Sequence, residues 1–384
     1  MRSQPDYYIF HCSLVTMVKS ILGVFFILAF AKAVTAQTTE AFPKVATLDA
    51  SFLYGSILEH NPDIAHLITD HPTGILLSYN RKTFGEEEWQ SRFGFPDWGF
   101  SAAYQDMKTY ELGEAFSAYA HYNFHFFNRN FQLRIGQGLA YVTKPFDEIE
   151  NPRNNAYGST ITSTTYLNAV YRKENITKGL GFHAGATIIH YSNANVRAPN
   201  NSTNTWFFQA GLNYTLNKDN IPEFKIWEKR KYSEPIHYNF VARIGFNESD
   251  YRGSGQFPFY NFSFYADKRI NIKSSLNAGT EVFISEFLKE YRDYQANSFP
   301  EEGITGDENY QRVGVFIGHE LHLGKTSVLT QFGYYVYWPI PFESRIYNRM
   351  GLQRRLTDHV FASLTLKSHG AAAEGVSLGI GYRL

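Results

Sequence analysis

The segment His190-Tyr191-Ser192-Asn193 sets an imidazole and a hydroxyl two positions apart. On a β-strand that spacing puts both side chains on one face, with Cα atoms about 6.6 Å apart at roughly 3.3 Å per residue. An imidazole leaning along the strand reaches a serine hydroxyl over that span. A serine, a base and a group that orients the base are the parts of acyl transfer. Ser192 is the candidate nucleophile toward an ester carbonyl, and His190 the candidate base. Asn204 is the candidate orienting group, holding the imidazole in the right tautomer. Asn193 and nearby backbone N–H groups are candidate donors to the oxyanion. Against this stands the plain alternative: His-x-Ser-Asn is short enough to recur by chance, and polar residues are ordinary at strand ends.

The elements that would carry these residues are written in alternation. Phe116, Ala118, Ala120, Tyr122, Phe124 and Phe126 alternate with Ser117, Tyr119, His121, Asn123 and His125. The same period of two runs through Leu180–Ile188, Trp206–Tyr214, Ile236–Ile244, Val360–Leu366 and Val376–Leu384. Period two over about ten residues is the signature of membrane-barrel strands, apolar toward lipid and polar toward the lumen; strands of soluble sandwiches are usually shorter. His190 and Ser192 share the parity of Leu180, Phe182, Ala184, Ala186 and Ile188. Asn204 shares that of Trp206, Phe208 and Ala210. All three are therefore expected to face lipid at the same end of neighbouring strands. Polar groups there are costly unless paired or functional.

Short and long connections take turns, as in barrels with tight periplasmic turns and long external loops. Phe127 to Asn130, Lys173 to Lys178, Asp267 to Asn271 and Leu323 to Thr326 are tight. Thr143 to Tyr157, Asn193 to Thr203 and Ser285 to Asn309 are long. Asn217 to Pro235 breaks the rhythm, being long on the side of the short turns. Thr38 to Glu88 shows no clear pattern. The expectation is an all-β protein: one transmembrane antiparallel β-barrel of the outer membrane spanning 37–384, with roughly 12 to 14 strands.

Composition agrees. Of 384 residues, 17% are aromatic, with 33 Phe and 27 Tyr, more than a soluble core needs but suited to the two aromatic girdles of a barrel. Lys+Arg and Asp+Glu are both 36, so a nucleic-acid partner is not expected. A mean hydropathy of −0.33 excludes a polytopic helical protein. At the N-terminus, Lys19 precedes the apolar run Ile21 to Phe30 and the small residues Val34-Thr35-Ala36. This reads as a signal peptide over 1–36, too short for a spanning helix, with Met17 a plausible start. Cys12, the single cysteine, falls within it, so no disulfide or cysteine metal site is expected.

His190-Tyr191-Ser192-Asn193, Pro199-Asn200 and Asn204 together resemble the motif of the lipid A 3-O-deacylase (PagL-type) family, in a longer, Bacteroidetes-type form. The resemblance runs over about Phe131 to Leu216 and fades before Phe100 and past Asn217. It implies His190 as base, Ser192 as nucleophile, and Asn193 and Asn200 as the asparagines that shape the site. The third triad member falls on Asn204, where the best-known members carry Glu. Asn can orient a histidine but cannot stabilise the imidazolium with a charge. The final strand, ending Tyr382-Arg383-Leu384, is similar to the assembly signal of outer-membrane proteins, with Leu in place of the usual Phe.

The resemblance implies an outer-membrane serine esterase that removes an ester-linked 3-hydroxyacyl chain from lipid A. Its partners would be lipid A or lipopolysaccharide as substrate and the surrounding outer-membrane lipid, with no cofactor and no metal. The oligomeric state stays open. Two other readings remain: a non-enzymatic barrel, channel or scaffold, and an esterase for glycerophospholipid. Other polar groups rank lower. His319-Glu320-Leu321-His322 has the wrong spacing for a zincin site. His121 and His125 read as solvated lumen residues. Arg134, Arg243, Lys273, Glu281, Arg312 and Glu320 read as lumen charges that satisfy one another. Lys367 and His369, near the last external loop, read as ordinary rim residues ahead of the alternative, a place beside lipid phosphates.

Overall fold

The computed structural model describes residues 44–248 and 254–384. The expected signal segment and Cys12 lie outside them. The described residues form sixteen antiparallel strands that close as two barrels of eight. The first contains β1 Ala46–Leu58, β2 Thr73–Arg81, β3 Asp97–Asp106, β4 Glu114–Phe126, β5 Phe131–Val142, β6 Ile161–Thr177, β7 Leu180–Ser192 and β8 Thr203–Leu216. It closes where β1 pairs with β8, from Ala46 opposite Leu216 to Leu58 opposite Asn204. The second contains β9 Ile236–Glu248, β10 Gln256–Arg269, β11 Ser274–Ser285, β12 Gln311–Leu323, β13 Thr326–Tyr337, β14 Ile346–Arg355, β15 Val360–His369 and β16 Ala372–Arg383. β16 closes it on β9, with Arg383 opposite Asn239. A short helix α1 (Glu88–Arg92) lies between β2 and β3, and α2 (Phe287–Ser298) between β11 and β12. Among the described residues no helix is long and apolar enough to cross a membrane, which says nothing about strands.

The single barrel of roughly 12 to 14 strands is thereby corrected to sixteen strands in two closures. Alternation is a local property and does not say which strand pairs with which, so the second closure was invisible to it. The connection that broke the loop rhythm, Asn217 to Pro235, is the linker between the barrels. The stretch without a clear pattern supplies β1 and β2. The linker docks on the β2–β3 turn: Lys225 N donates to Phe84 O (2.8 Å), Trp227 Nε1 to Gly85 O (2.8 Å), and Arg230 pairs with Glu88 (2.7 Å).

The strands keep their period of two away from the register shifts in β6, β12 and β15. On β7, Leu180, Phe182, Ala184, Ala186 and Ile188 are exposed, while Gly181, His183, Thr187, Ile189 and Tyr191 are buried or nearly so. The lumens are filled by side chains, as the narrow bore of eight strands requires. In the first barrel Asp49 takes Arg134 (2.8 Å) on one oxygen and Arg172 (2.9 Å) on the other. Gly136 leaves the room that the Tyr166 ring occupies, since a Cβ there would lie 2.1 Å from Cε1. His121 bonds Ser101 and Asn80, and His125 bonds Asp97. These two histidines face the lumen as expected, but as bonded core groups rather than solvated ones.

In the second barrel Arg349 pairs with Glu281 (2.9 Å), and Glu374 gathers Arg312, Lys367 (2.5 Å) and His369 (2.7 Å). Lys367 and His369 are thus buried lumen residues, not rim residues. Lys367 shares the inward parity of Ser363 and Thr365, and a bulge after it keeps the following residues turned inward. Lys273 is also corrected. It sits in the turn before β11, with its ammonium 4.5 Å from the Phe93 ring.

Candidate active site

β7 and β8 meet at the end of the barrel that carries the long connections. There His190 stands directly opposite Asn204 in the antiparallel ladder. Their inward neighbours anchor both strands. Tyr191 is fully buried, packs edge-on against Tyr157 with ring centroids 6.3 Å apart, and bonds Ser117 (2.9 Å). Thr203, also fully buried, bonds the Tyr157 hydroxyl. With Tyr191 and Thr203 turned inward, His190, Ser192 and Asn204 take the outward parity.

His190 Nδ1 lies 2.8 Å from Asn204 Oδ1. An amide oxygen can only accept, so Nδ1 carries the proton and Nε2 presents its lone pair. That is the tautomer a general base needs. The Ser192 hydroxyl donates to Asn200 Oδ1 (3.1 Å) and accepts from Ala194 N (3.0 Å). Asn193 N donates to the same Asn200 oxygen (2.9 Å), and Asn193 Nδ2 donates to Arg197 O (2.6 Å). The five residues read from the sequence therefore fall into two bonded groups, His190 with Asn204 and Ser192 with Asn193 and Asn200. Between Ser192 and Asn200 the backbone passes through the left-handed region at Ala194 (φ 53°) and Asn195 (φ 64°). For residues with a Cβ this is a sparsely populated conformation that persists only where surrounding contacts hold it.

Four neighbours of the site, His60, Gln137, Ser163 and Thr165, were not singled out from the sequence. His60, just past β1, bonds Asn201 O (3.2 Å) and Ser202 Oγ (3.3 Å), and so pins the chain beside Asn200. On the other side, Thr165 pairs with His190 and Ser163 with Ser192 across the β6–β7 ladder. Gln137, next along on β5, joins them by accepting from Thr165 (2.5 Å) and donating to Ser163 (3.0 Å). Gln137, Thr165, His190 and Asn204 thus form one polar row across four strands of the outer wall. The signal for Gln137, Ser163 and Thr165 was present, since each breaks the apolar parity of its strand. Which strands are adjacent, and in what register, was needed to gather them. Among the described residues no group of histidine, cysteine and acidic side chains is arranged to hold a metal ion.

Two family models match the chain. Residues 73–213 match the lipid A 3-O-deacylase (PagL) model, and residues 236–384 match the acyloxyacyl hydrolase C-terminal domain. The likeness therefore begins earlier than Phe100 and resumes beyond the linker, further in both directions than the sequence resemblance reached. The boundary between the two matches falls on the linker between the barrels. No curated protein matches the chain. Among solved structures, two mutants of a porin from Rhodopseudomonas blastica align with 88% of this chain and 100% of theirs, at 9% and 8% identity. Both have a TM-score of 0.18, too low to carry weight. With the two family matches taking in most of the sequence, the chain belongs to the lipid A 3-O-deacylase (PagL) family, its second barrel being the acyloxyacyl hydrolase C-terminal domain.

Proposed function

We propose that this protein is an outer-membrane serine esterase that removes an ester-linked 3-hydroxyacyl chain from lipid A, exported by the segment 1–36. The observation that carries the reading is the His190–Asn204 hydrogen bond on the outer wall of the barrel, one residue removed from Ser192. Family membership supplies the substrate class. The outward parity of the site suits a substrate that arrives sideways from the membrane. The exposed apolar side chains around it, Leu167, Ile188 and Phe208, suit acyl chains.

The chemistry follows from the atoms. A turn about the Ser192 Cα–Cβ bond swings Oγ from Asn200 toward His190 Nε2; such bonds are often unmade before substrate binds. His190 takes the hydroxyl proton as Oγ adds to the ester carbonyl. The oxyanion is met by the Asn193 Nδ2 hydrogen that Arg197 O does not hold and by Ala194 N, which is freed when Oγ turns. Collapse breaks the bond to the sugar oxygen, which leaves with the proton from His190. Water, deprotonated by the same imidazole, then cleaves the acyl-serine to release a 3-hydroxy fatty acid and restore Ser192. Asn204 keeps Nδ1 protonated and the ring aimed throughout, without adding a charge.

A channel is disfavoured by the lumens, which are occupied by side chains such as Arg134, Arg172, Arg312 and Arg349, all fully buried. Mass spectrometry of lipid A from cells with the protein, without it, and with Ser192→Ala tests the reading. Loss of one hydroxyacyl mass only where Ser192 is intact is expected. Deacylation that survives Ser192→Ala would overturn the assignment.

A further inference from the structure

The loop between β7 and β8 is held from two sides. Its later half is tied to the first barrel. Asn201 N donates to Asn155 O (3.1 Å), Ser202 N donates to Ala156 O (3.2 Å), and His60 bonds both residues. Its earlier half is tied to the second barrel. Glu248 N donates to Asn195 O (2.9 Å), Ala198 N donates to Glu248 Oε2 (3.0 Å), and Gln256 Nε2 donates to Val196 O (2.6 Å). Glu248 ends β9 and Gln256 begins β10, and the two stand opposite each other in the ladder. They form the last rung of one hairpin, set against the backbone of the other barrel.

The three anchored residues surround Arg197. Its carbonyl is the group that receives the Asn193 side chain (2.6 Å). The same stretch begins with the left-handed pair Ala194 and Asn195, a conformation that needs outside support. Glu248 supplies it at Asn195 O. Oxyanion donors are effective when they are already in place, because they then need no reorganisation during reaction. A misplacement of about 1 Å can cost roughly 100-fold.

We propose that the second barrel is the clamp of the first barrel's catalytic loop. Glu248 and Gln256 act as positioning residues that hold Asn195–Ala198, and through Arg197 fix Asn193 beside Ser192. The catalytic part of this proposal rests on the reading of Ser192 as nucleophile. It gives the C-terminal domain a task in the reaction without contact with substrate.

The test uses the full chain folded in detergent micelles, as wild type, Glu248→Ala/Gln256→Ala and Glu248→Gln. Three quantities are read: amide hydrogen exchange in 193–198, the rate of Ser192 labelling by a fluorophosphonate, and kcat and KM on purified lipid A. In the double variant, exchange in the loop should rise about tenfold or more, as expected for loss of two hydrogen bonds. Labelling and kcat should fall by a similar factor, with KM within about twofold. Glu248→Gln keeps an acceptor oxygen and should stay close to wild type. Should the double variant fail to fold, Gln256→Ala alone carries the same readings. Unchanged exchange overturns the clamp. Raised exchange with unchanged labelling and kcat overturns its role in catalysis. A wild-type protein that neither labels nor deacylates overturns the Ser192 reading instead, and the exchange result then judges the clamp alone.

Discussion

At the scale of single residues, the site separates orientation from charge. Asn204 gives His190 a hydrogen bond and a tautomer, and nothing further. On the proposed mechanism, Ser192→Ala and His190→Ala should each lower deacylation by about 10³-fold or more, because a nucleophile and its base act as one unit. Asn204→Ala removes one neutral hydrogen bond worth about 1 kcal/mol, so the loss should be nearer fivefold. Initial rates on lipid A micelles distinguish the two cases. Asn204→Glu is the informative exchange. A carboxylate beside His190 favours the imidazolium and raises its pKa. The acid limb of the pH–rate profile should therefore move to higher pH, with activity retained on the alkaline side. An unmoved limb would mean that position 204 does not address the ring during the reaction.

At the scale of elements, the linker is more than a tether. Glu234, at its end, receives Arg383 of β16 (2.9 Å) and Arg269 of β10 (3.4 Å), and accepts from Tyr232 (2.6 Å). It thereby ties the strands on either side of β9, where the second barrel closes. Burial would raise its carboxyl pKa. The Tyr232 hydroxyl and the Arg383 and Arg269 guanidinium groups outweigh that and hold it down to about 2. A carboxyl depressed in the folded state contributes stability above its unfolded pKa, about 4.3. That contribution is lost as pH falls from there toward 2. Acid unfolding of the second barrel should therefore begin within this window, and Glu234→Gln should flatten the pH dependence there while lowering stability at pH 7. Tryptophan fluorescence or circular dichroism across pH 6 to 2 reads both. An identical acid profile in the variant would show that the closing strands do not depend on this carboxylate.

At the scale of the whole molecule, two narrow barrels with filled lumens replace one wide one. Each core holds buried ion pairs, Asp49 with Arg134 and Arg172 in the first barrel and Glu281 with Arg349 in the second, and breaking such a pair on one side commonly costs about 3–5 kcal/mol. Asp49→Ala leaves Arg134 with neutral partners alone, Asn123, Ser78 and Asn80, and strips Arg172 of one of its two carboxylates. Peptide-resolved hydrogen exchange on heating should show the first barrel opening at a markedly lower temperature. Peptides from β9 to β16 should keep their wild-type transition, except where the second barrel meets the β7–β8 loop. Loss of both barrels together would mean that they fold as one cooperative unit.

Much of this was legible in the residues themselves. Side-chain parity is a property of each strand alone, so the alternation around Leu180–Ile188 and Trp206–Ala210 sufficed to give His190, Ser192 and Asn204 one shared parity, although Ser192 is buried, with its hydroxyl bonded to Asn200 and Ala194. The His-x-Ser-Asn motif with Asn200 and Asn204 sufficed to point to the family. Lys367 shows the limit of the same reasoning. It reads as a rim residue by its nearness to a loop, yet its parity, opposite to that of Leu364 and Leu366, turns it inward to pair with Glu374. The sequence carries no marker for closure, which depends on strands far apart in the chain finding one register, β1 with β8 and β9 with β16. Only tertiary structure decided that there are two barrels, that Gln137, Ser163 and Thr165 extend the row of His190, and that Glu248 and Gln256 reach the β7–β8 loop. Hydrogen bonds between residues some fifty to sixty positions apart (Ala198 to Glu248, Val196 to Gln256) leave no periodic trace in a single chain, because their geometry is set by how whole hairpins stand together.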